Sequence, residues 1–516
     1  MSKDTDSPNK LEQRAKDFMQ SFNTEDIKRR KEEQTVELRK SKRADMASKR
    51  RNFQASDREW IKVNDHYKPS YTLADLPELL EAMKSPEPER NLYAAQGFRK
   101  LLSIENEPPI QNVIDAGVVP VLIEFIKRHD FPQLQYESAW TITNIASGTH
   151  QHCQVIVEKG SIPLLVDLLR SSNEEVKEQA IWAIGNIGGD SPNCRDTILK
   201  YDGLNLIIRC VENSNKPSMI KNGSWAVSNL CRGKPSADYE LVKCAIPLLA
   251  KIVESHHDAD LLSDCLWALS HLSEGGEEKI TNIIHSGCVP KVIQLLGHHL
   301  YNIQLPSIRI IGNIVSGTAV QTEFAISLGA AQGLSNLLTS SKKNIRKEAV
   351  WSISNICAGT QEQLDSLINA DVFKKLASIV EHDEKMIKKE AVWALCNAAA
   401  AGRPDQVLHL VNCGVIPALC SLLNQNESKI ITVALEGINR ILKNGKESFS
   451  NEQGTNPFAD ILEECGGLSK LEDLQEHPNN AIYEKSRQVI ENYFELEADE
   501  NDNLIQLIKD NVQFSF

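Results

Sequence analysis

Apolar residues recur at three- and four-residue spacing in "IPLLVDLLRS" (162–171) and again in "EEVKEQAIWAIGNI" (174–187). That rhythm predicts two helices, each with one buried face. Asn173, followed by two glutamates, predicts an N-cap for the second. Just upstream, "EKGSIP" (158–163) places Gly and Pro where the chain breaks between a short helix and a longer one. The same punctuation returns in "DAGVVP" (115–120), "HSGCVP" (285–290) and "NCGVIP" (412–417).

A second pattern runs in step with the first. Trp and Asn stand four apart in "SAWTITNIASGT" (138–149), "EVKEQAIWAIGNIGGDSPN" (175–193), "GSWAVSNLCRG" (223–233), "VWSISNICAGT" (350–360) and "VWALCNAAAAG" (392–402). Trp140, Trp182, Trp225, Trp267, Trp351 and Trp393 are spaced by 42, 43, 42, 84 and 42 residues, and only Trp60 falls outside the register. Arg309, in "SIRIIGNIVSGT", fills the position missing from the double gap. A period near 42 is that of armadillo or HEAT arrays, and three helices per unit, the first short, favours armadillo. The expectation is an all-α, right-handed superhelical solenoid of about ten armadillo repeats over 72–497, its apolar faces buried by stacking. A flexible basic segment (1–54) precedes it with a linker (55–71), and a tail (498–516) follows. In the first unit Gln96 and Lys100 lie near the Trp and Asn positions, and "VALEGINRIL" and "ECGGLSKLEDLQ" have lost the Trp, as terminal caps do.

Positions i and i+4 share a helix face, so stacked repeats present Trp–Asn rungs. Two readings stand side by side. In one, the Trp are core and the Asn bond repeat to repeat. In the other, the rungs line a groove for an extended peptide, with Asn amides on its main chain and Lys or Arg stems between indoles. Acids edge the rungs at Glu178, Asp190, Asp264, Glu348 and Glu390. Charge-assisted bonds from those carboxylates select a short cationic run.

Charge sharpens this reading. Residues 1–54 hold 15 Lys and Arg against 10 Asp and Glu, leaving 42 against 60 for the remainder of a chain whose net charge is −13. "KRRK" (28–31), "RKSKR" (39–43) and "KRR" (49–51) concentrate the positive charge. Such a segment reads as a solvated or nucleic-acid-binding tail, or as a ligand for the acidic body, tethered at up to about millimolar effective concentration. The second reading has Lys49–Arg51 occupying the groove at rest. Direct nucleic-acid binding by an acidic body is disfavoured.

Twelve Cys without a C-x-x-C pair argue against zinc ribbons and disulfide frameworks and fit buried thiols in a reducing compartment. No apolar run suffices for a membrane span, and the polar start argues against a secretory signal. There is no P-loop, dinucleotide fingerprint or HExxH, so no enzyme, metal or cofactor is expected. His256–His257 and His298–His299 read as surface pairs. An armadillo scaffold for adhesion or signalling would want a basic groove, which this composition opposes.

The motifs "RAKDF" (14–18), "VELRKSKR", "KRRNF", "GNIGGDSP", "WAVSNLCRGK" and "ILEECGGLSKLEDLQ", in that order, resemble the importin-α family over nearly the whole chain. The resemblance implies an adaptor for nuclear import, shuttling between cytoplasm and nucleus through nuclear pores. A major site for Lys/Arg-rich nuclear localisation signals would comprise Trp140, Asn144, Trp182, Asn186, Asp190, Trp225 and Asn229, joined by the edge acids Glu178 and Asp264. A minor site would comprise Arg309, Asn313, Glu348, Trp351, Asn355, Glu390, Trp393 and Asn397. Importin-β would hold the head through Arg14, Lys28, Arg29, Arg30, Lys31, Arg39, Lys40, Lys42, Arg43, Lys49, Arg50 and Arg51, the last three also autoinhibitory. Ran-GTP would dissociate that complex and an export receptor retrieve the adaptor. Four departures stand out: "MQSFNTEDI" (19–27) without the basic "KNKG"-like insert that family members often have, Cys153 and Ala319 where family sites often carry Thr and Asp, and His271 at an Asn-like position.

Overall fold

The computed structural model describes residues 49–50, 70–104, 106–452 and 454–494, and within these every regular element is a helix. The calls on Arg14 to Arg43, on Arg51, on Trp60 and on the tail 498–516 lie outside the described residues. From Leu73 to Tyr493 the helices group into ten units, nearly all of two short helices and a longer third. The third helices, which carry the rungs, are α1 (Pro88–Leu102), α2 (Pro132–Ala146), α3 (Glu174–Asp190), α4 (Pro217–Cys231), α5 (Ala259–Leu272), α6 (Tyr301–Ile314), α7 (Lys343–Cys357), α8 (Lys385–Ala401), α9 (Ser428–Ser448) and α10 (Asn480–Tyr493).

Local chemistry explains each boundary. Asn173 Oδ1 accepts from the N–H groups of Glu175 (2.9 Å) and Val176 (3.1 Å), the expected cap. Between first and second helices the break belongs to a left-handed residue, most often glycine, and not to the proline. Gly117, Gly160, Gly287, Gly329, Gly414 and Gly466 adopt φ between 73° and 96°, a region L side chains rarely enter. Asp202 and Asp371 take the same role at φ 64° and 52°. The prolines that follow, Pro120, Pro163, Pro290 and Pro417, fall inside the first turn of the second helix, where a missing N–H costs nothing.

Two compact units divide the chain, with α1–α5 in the first and α6–α10 in the second. In the first, α2 packs on α1 and α3, α3 on α4, and α4 on α5. Leu122, Leu134, Ile142, Ala180, Ile187 and Leu230 are sealed between them. The second stacks α6 on α7 and so on to α10. Here a glutamine ladder adds register. Gln321 Nε2 donates to Glu277 O (3.0 Å), Gln363 to Ala319 O (2.9 Å) and Gln406 to Gln361 O (2.7 Å). Each glutamine also accepts at Oε1 from the N–H of its own N-cap residue, so both ends of the amide are satisfied.

Candidate peptide-binding groove

The rungs of the first unit are held by backbone. Asn186 Nδ2 donates to Thr143 O on α2 (3.0 Å), and Asn229 Nδ2 to Gly185 O on α3 (2.9 Å). The asparagines therefore bond repeat to repeat, as the first of the two readings had it. The Trp225 ring lies so close over Gly185 that a Cβ there would come within 2.4 Å of it. Glycine at 185 is what lets the next indole lie flat.

The same side chains also face a groove, and part of the chain's own head is seated in it. Arg50 donates its backbone N–H to Asn186 Oδ1 (2.8 Å), while Arg50 O accepts from Asn186 Nδ2 (3.0 Å) and from the indole N–H of Trp182 (2.8 Å). Lys49 Nζ reaches Asp190 Oδ1 (2.6 Å) and Gly148 O (2.9 Å). The Arg50 guanidinium stands 4.9 Å over the Trp225 ring and pairs with Asp264 Oδ2 at 3.0 Å. One dipeptide thus touches residues from the end of α2 to α5. Its main chain is read by an Asn and an indole N–H, its side chains by two carboxylates and an aromatic face.

Electrostatics favour a cation here. Asp190 is almost covered, its side chain 2% exposed, with His150 Nδ1 on its other oxygen at 2.7 Å. Burial lifts the Asp264 carboxyl to about 6, against the pull of Arg50 in the opposite direction.

The remaining expected residues are placed differently. Trp140 is buried, with the Arg99 guanidinium 4.5 Å from its ring and Tyr136 packed edge-on at 5.6 Å. Arg99 in turn is held by the buried Glu137 at 2.8 Å. Asn144 donates to Ser103 Oγ at 3.1 Å. Glu178 receives Lys216 Nζ (2.5 Å) and Asn222 Nδ2 (3.2 Å) and serves as a strut between α3 and the start of α4. Trp267 stacks on His271 at 6.2 Å.

In the second unit Trp351, Trp393, Asn313 and Asn355 are half-buried. Glu390 is buried, and Asn397 Nδ2 donates to Ser354 O at 3.2 Å. Arg309 lies 3.8 Å from Glu348, and Gly312 admits the Trp351 ring as Gly185 admits Trp225. Three contributors escaped the sequence reading: Gly148, His150 and Gly185. The "SGT" and "AGT" that close several rungs carried a signal for Gly148, but its part is played by a carbonyl. The His256–His257 and His298–His299 pairs sit in loops, and no cluster able to hold a metal occurs among the described residues. No helix among them is long and apolar enough to cross a membrane.

These features define an armadillo-repeat protein. The armadillo/beta-catenin-like repeat family matches residues 106–147, 149–188, 318–358, 360–400 and 403–442, and an atypical Arm repeat matches 456–507. A solved engineered protein superposes with a TM-score of 0.72 at 24% identity, covering 81% of this chain and 98% of that one, a likeness of fold. The importin beta binding domain family matches residues 14–96, reaching past the basic segment into α1. Importin subunit alpha-2 of Arabidopsis thaliana is 46% identical over 95% of this chain and 93% of its own length. Importin subunit alpha-1b of Oryza sativa subsp. japonica is 42% identical over 83% of this chain and 80% of its own. Importin subunit alpha-B of Dictyostelium discoideum is 41% identical over 98% and 97%. The chain belongs to the importin-α family. It is a nuclear import adaptor linked to importin-β.

Proposed function

We propose that the furrow along α2–α5 binds Lys/Arg-rich nuclear localisation signals and that Lys49–Arg51 occupies it when importin-β is absent. The observation that carries this reading is the dipeptide Lys49–Arg50, seated on Trp182, Asn186, Asp190, Trp225 and Asp264. A cargo presenting Lys-Arg in extended form meets the same acceptors, donors and aromatic face. Every contact to the main chain is independent of sequence, and every contact to a side chain requires a cation. Arg309, Asn313, Glu348, Trp351, Asn355, Glu390, Trp393 and Asn397 form a second, minor site on the other unit. The basic head is the switch: importin-β takes residues 14–51 and so vacates the groove. Ran-GTP and an export receptor complete the cycle between nucleus and cytoplasm.

The test is fluorescence anisotropy with a labelled lysine-arginine peptide. Lys49→Ala with Arg50→Ala in the full-length chain binds the peptide at least about tenfold more tightly, because a competitor tethered at up to about millimolar concentration is removed. Equal affinity would remove the autoinhibition. Adding Trp182→Ala and Asp190→Lys to that chain abolishes binding at the first unit and leaves only the residual affinity of the second; an unchanged affinity in a folded variant ends the groove assignment.

A further inference from the structure

His152 stands where the second unit carries its ladder glutamines. It lies twelve residues after Trp140, as Gln321 lies twelve after Arg309 and Gln363 twelve after Trp351. Its ring replaces that amide bond for bond. Thr149 N–H donates to His152 Nδ1 (3.2 Å), and His152 Nε2 lies 3.1 Å from Gln111 Oε1 on the preceding repeat. Gln321 and Gln363 likewise accept from Thr318 and Thr360 N–H at Oε1 and donate to the preceding repeat at Nε2. A Cβ on Gly148 would overlap His152 Nδ1, just as one on Gly317 or Gly359 would overlap the glutamine oxygen.

The substitution changes what a proton can do. A glutamine oxygen accepts at any pH, whereas an imidazole nitrogen accepts only while it is bare. With Nδ1 accepting, the ring's proton sits on Nε2 and is donated to Gln111, whose own Nε2 points to Asp115 Oδ1 (2.7 Å). The N–H that His152 accepts belongs to the Gly148–Thr149 peptide unit. The carbonyl of that same unit accepts Lys49 Nζ at 2.9 Å. One planar group thus meets the ligand's ammonium at its oxygen and the imidazole at its N–H. Protonation would set Nδ1–H against Thr149 N–H, two donors with no acceptor between them. Of the charged groups on elements packed against the ring, Asp115 faces it through Gln111, and Asp190 is shared by Lys49 and His150. Glu137 is held by Arg99 and Asp167 by His129, while its own helix, His150–Glu158, carries buried Cys153 and exposed Glu158. Burial holds the ring below the ordinary histidine range, and the charge of Lys49 acts in the same sense.

We propose that His152 is a positioning residue for the lysine pocket of the first unit: the neutral ring aims Gly148 O at the ligand's ammonium, and a proton on the ring releases it. This rests on the reading of the furrow as a peptide groove and adds a proton-sensitive element to it. A bound cation disfavours the charged ring, so by linkage the charged ring disfavours a bound cation. Affinity is therefore complete while the ring is neutral and declines as pH falls through the empty-groove value of His152. The second unit, whose ladder is glutamine at Gln321 and Gln363, has no such element at those rungs.

The experiment uses the full-length chain with Lys49→Ala and Arg50→Ala, which empty the groove, and Asp264→Asn, which removes that carboxyl's titration. A labelled lysine-arginine peptide is titrated by anisotropy at pH 7.5 and at pH 5. Affinity falls between the two at least about threefold more with His152 in place than with His152→Gln, because glutamine keeps both bonds and takes no proton. At pH 7.5 His152→Gln binds within about twofold of its parent, whereas His152→Ala, which loses both bonds, binds about threefold more weakly. Long-range proton–nitrogen spectra place the His152 proton on Nε2 at pH 7.5. Equal pH slopes in the parent and His152→Gln, a proton on Nδ1, or equal losses in the Gln and Ala variants would each overturn the proposal. Trp182→Ala in the same chain separates the two readings at pH 7.5. If it leaves affinity unchanged, the groove reading fails and this one with it; if it weakens binding while the slopes are equal, this proposal alone is removed.

Discussion

The two units of this chain carry the same ladder and treat their acids differently. In the first, Asp190 and Asp264 are met by Lys49 and Arg50, cations distant in sequence that arrive on an extended strand. In the second, Glu348 and several other acids are matched by neighbours on the repeats themselves. Arg309 stands by Glu348, Arg346 grips Asp383 with two bonds of 2.7 Å, and Lys385 and Lys389 converge on Glu427. An acid already neutralised by its own scaffold has less to offer a ligand, because the incoming cation must displace a partner and replace its bond. The lesson is that a repeated motif does not make equal sites; what the flanking positions of each repeat carry decides how much charge remains available.

That contrast can be broken most directly at its strongest contact. In the chain whose Lys49 and Arg50 are alanine, Asp190→Lys lowers affinity for a short lysine-arginine peptide more than about 100-fold. It deletes a covered charge-assisted bond and leaves a like charge in its place. Glu348→Lys lowers it less than about tenfold, and comparable losses in the two titrations would erase the distinction between units.

A smaller effect tests the shelf. Gly185→Ala drives a methyl against the Trp225 ring and tilts it, weakening the peptide about tenfold. Gly312→Ala, its counterpart under Trp351, leaves short-peptide affinity within about twofold in the same assay.

Acidity gives a third handle. The Asp264 carboxyl, at about 6 with Arg50 present, sits higher when the groove is empty, because Arg50 pulls it down. Ligand binding thus favours the deprotonated form, and affinity is greatest above the empty-groove value and declines as pH falls toward 6. Between pH 8 and 6 the fall is about three- to tenfold by anisotropy. Asp264→Asn flattens this profile and lowers affinity at pH 8; a slope unaltered by the substitution would assign the effect to another group.

The smallest change is expected at the substituted rung. Arg309 and Glu348 are 3.8 Å apart and partly solvated, a pair worth less than about 1 kcal/mol. Arg309→Ala frees Glu348 and strengthens peptide binding by the second unit about two- to threefold, measured with Asp190→Lys closing the first.

Much of the fold was legible because its causes are local. The cap at Asn173, the left-handed glycines and the 42-residue period each depend on a few neighbouring residues. The Trp–Asn ladder announced itself equally plainly, but its two readings could not be separated from spacing. Asn186 shows why: one amide donates to Thr143 O behind it and to Arg50 O before it. A periodic string of letters cannot show that one side chain does both.

What the sequence by itself determined was the repeat, its helices and the sign of the charge that the acidic body attracts, because periodicity and composition act over a few turns or over the whole chain. Only the tertiary structure decided which acids are available. Glu178 and Asp190 look alike along the chain, yet stacking brings Lys216 and Asn222 to the first and Lys49, with His150, to the second. Which cation reaches a carboxylate depends on distances between residues some forty to over a hundred positions apart, and those distances are set by packing.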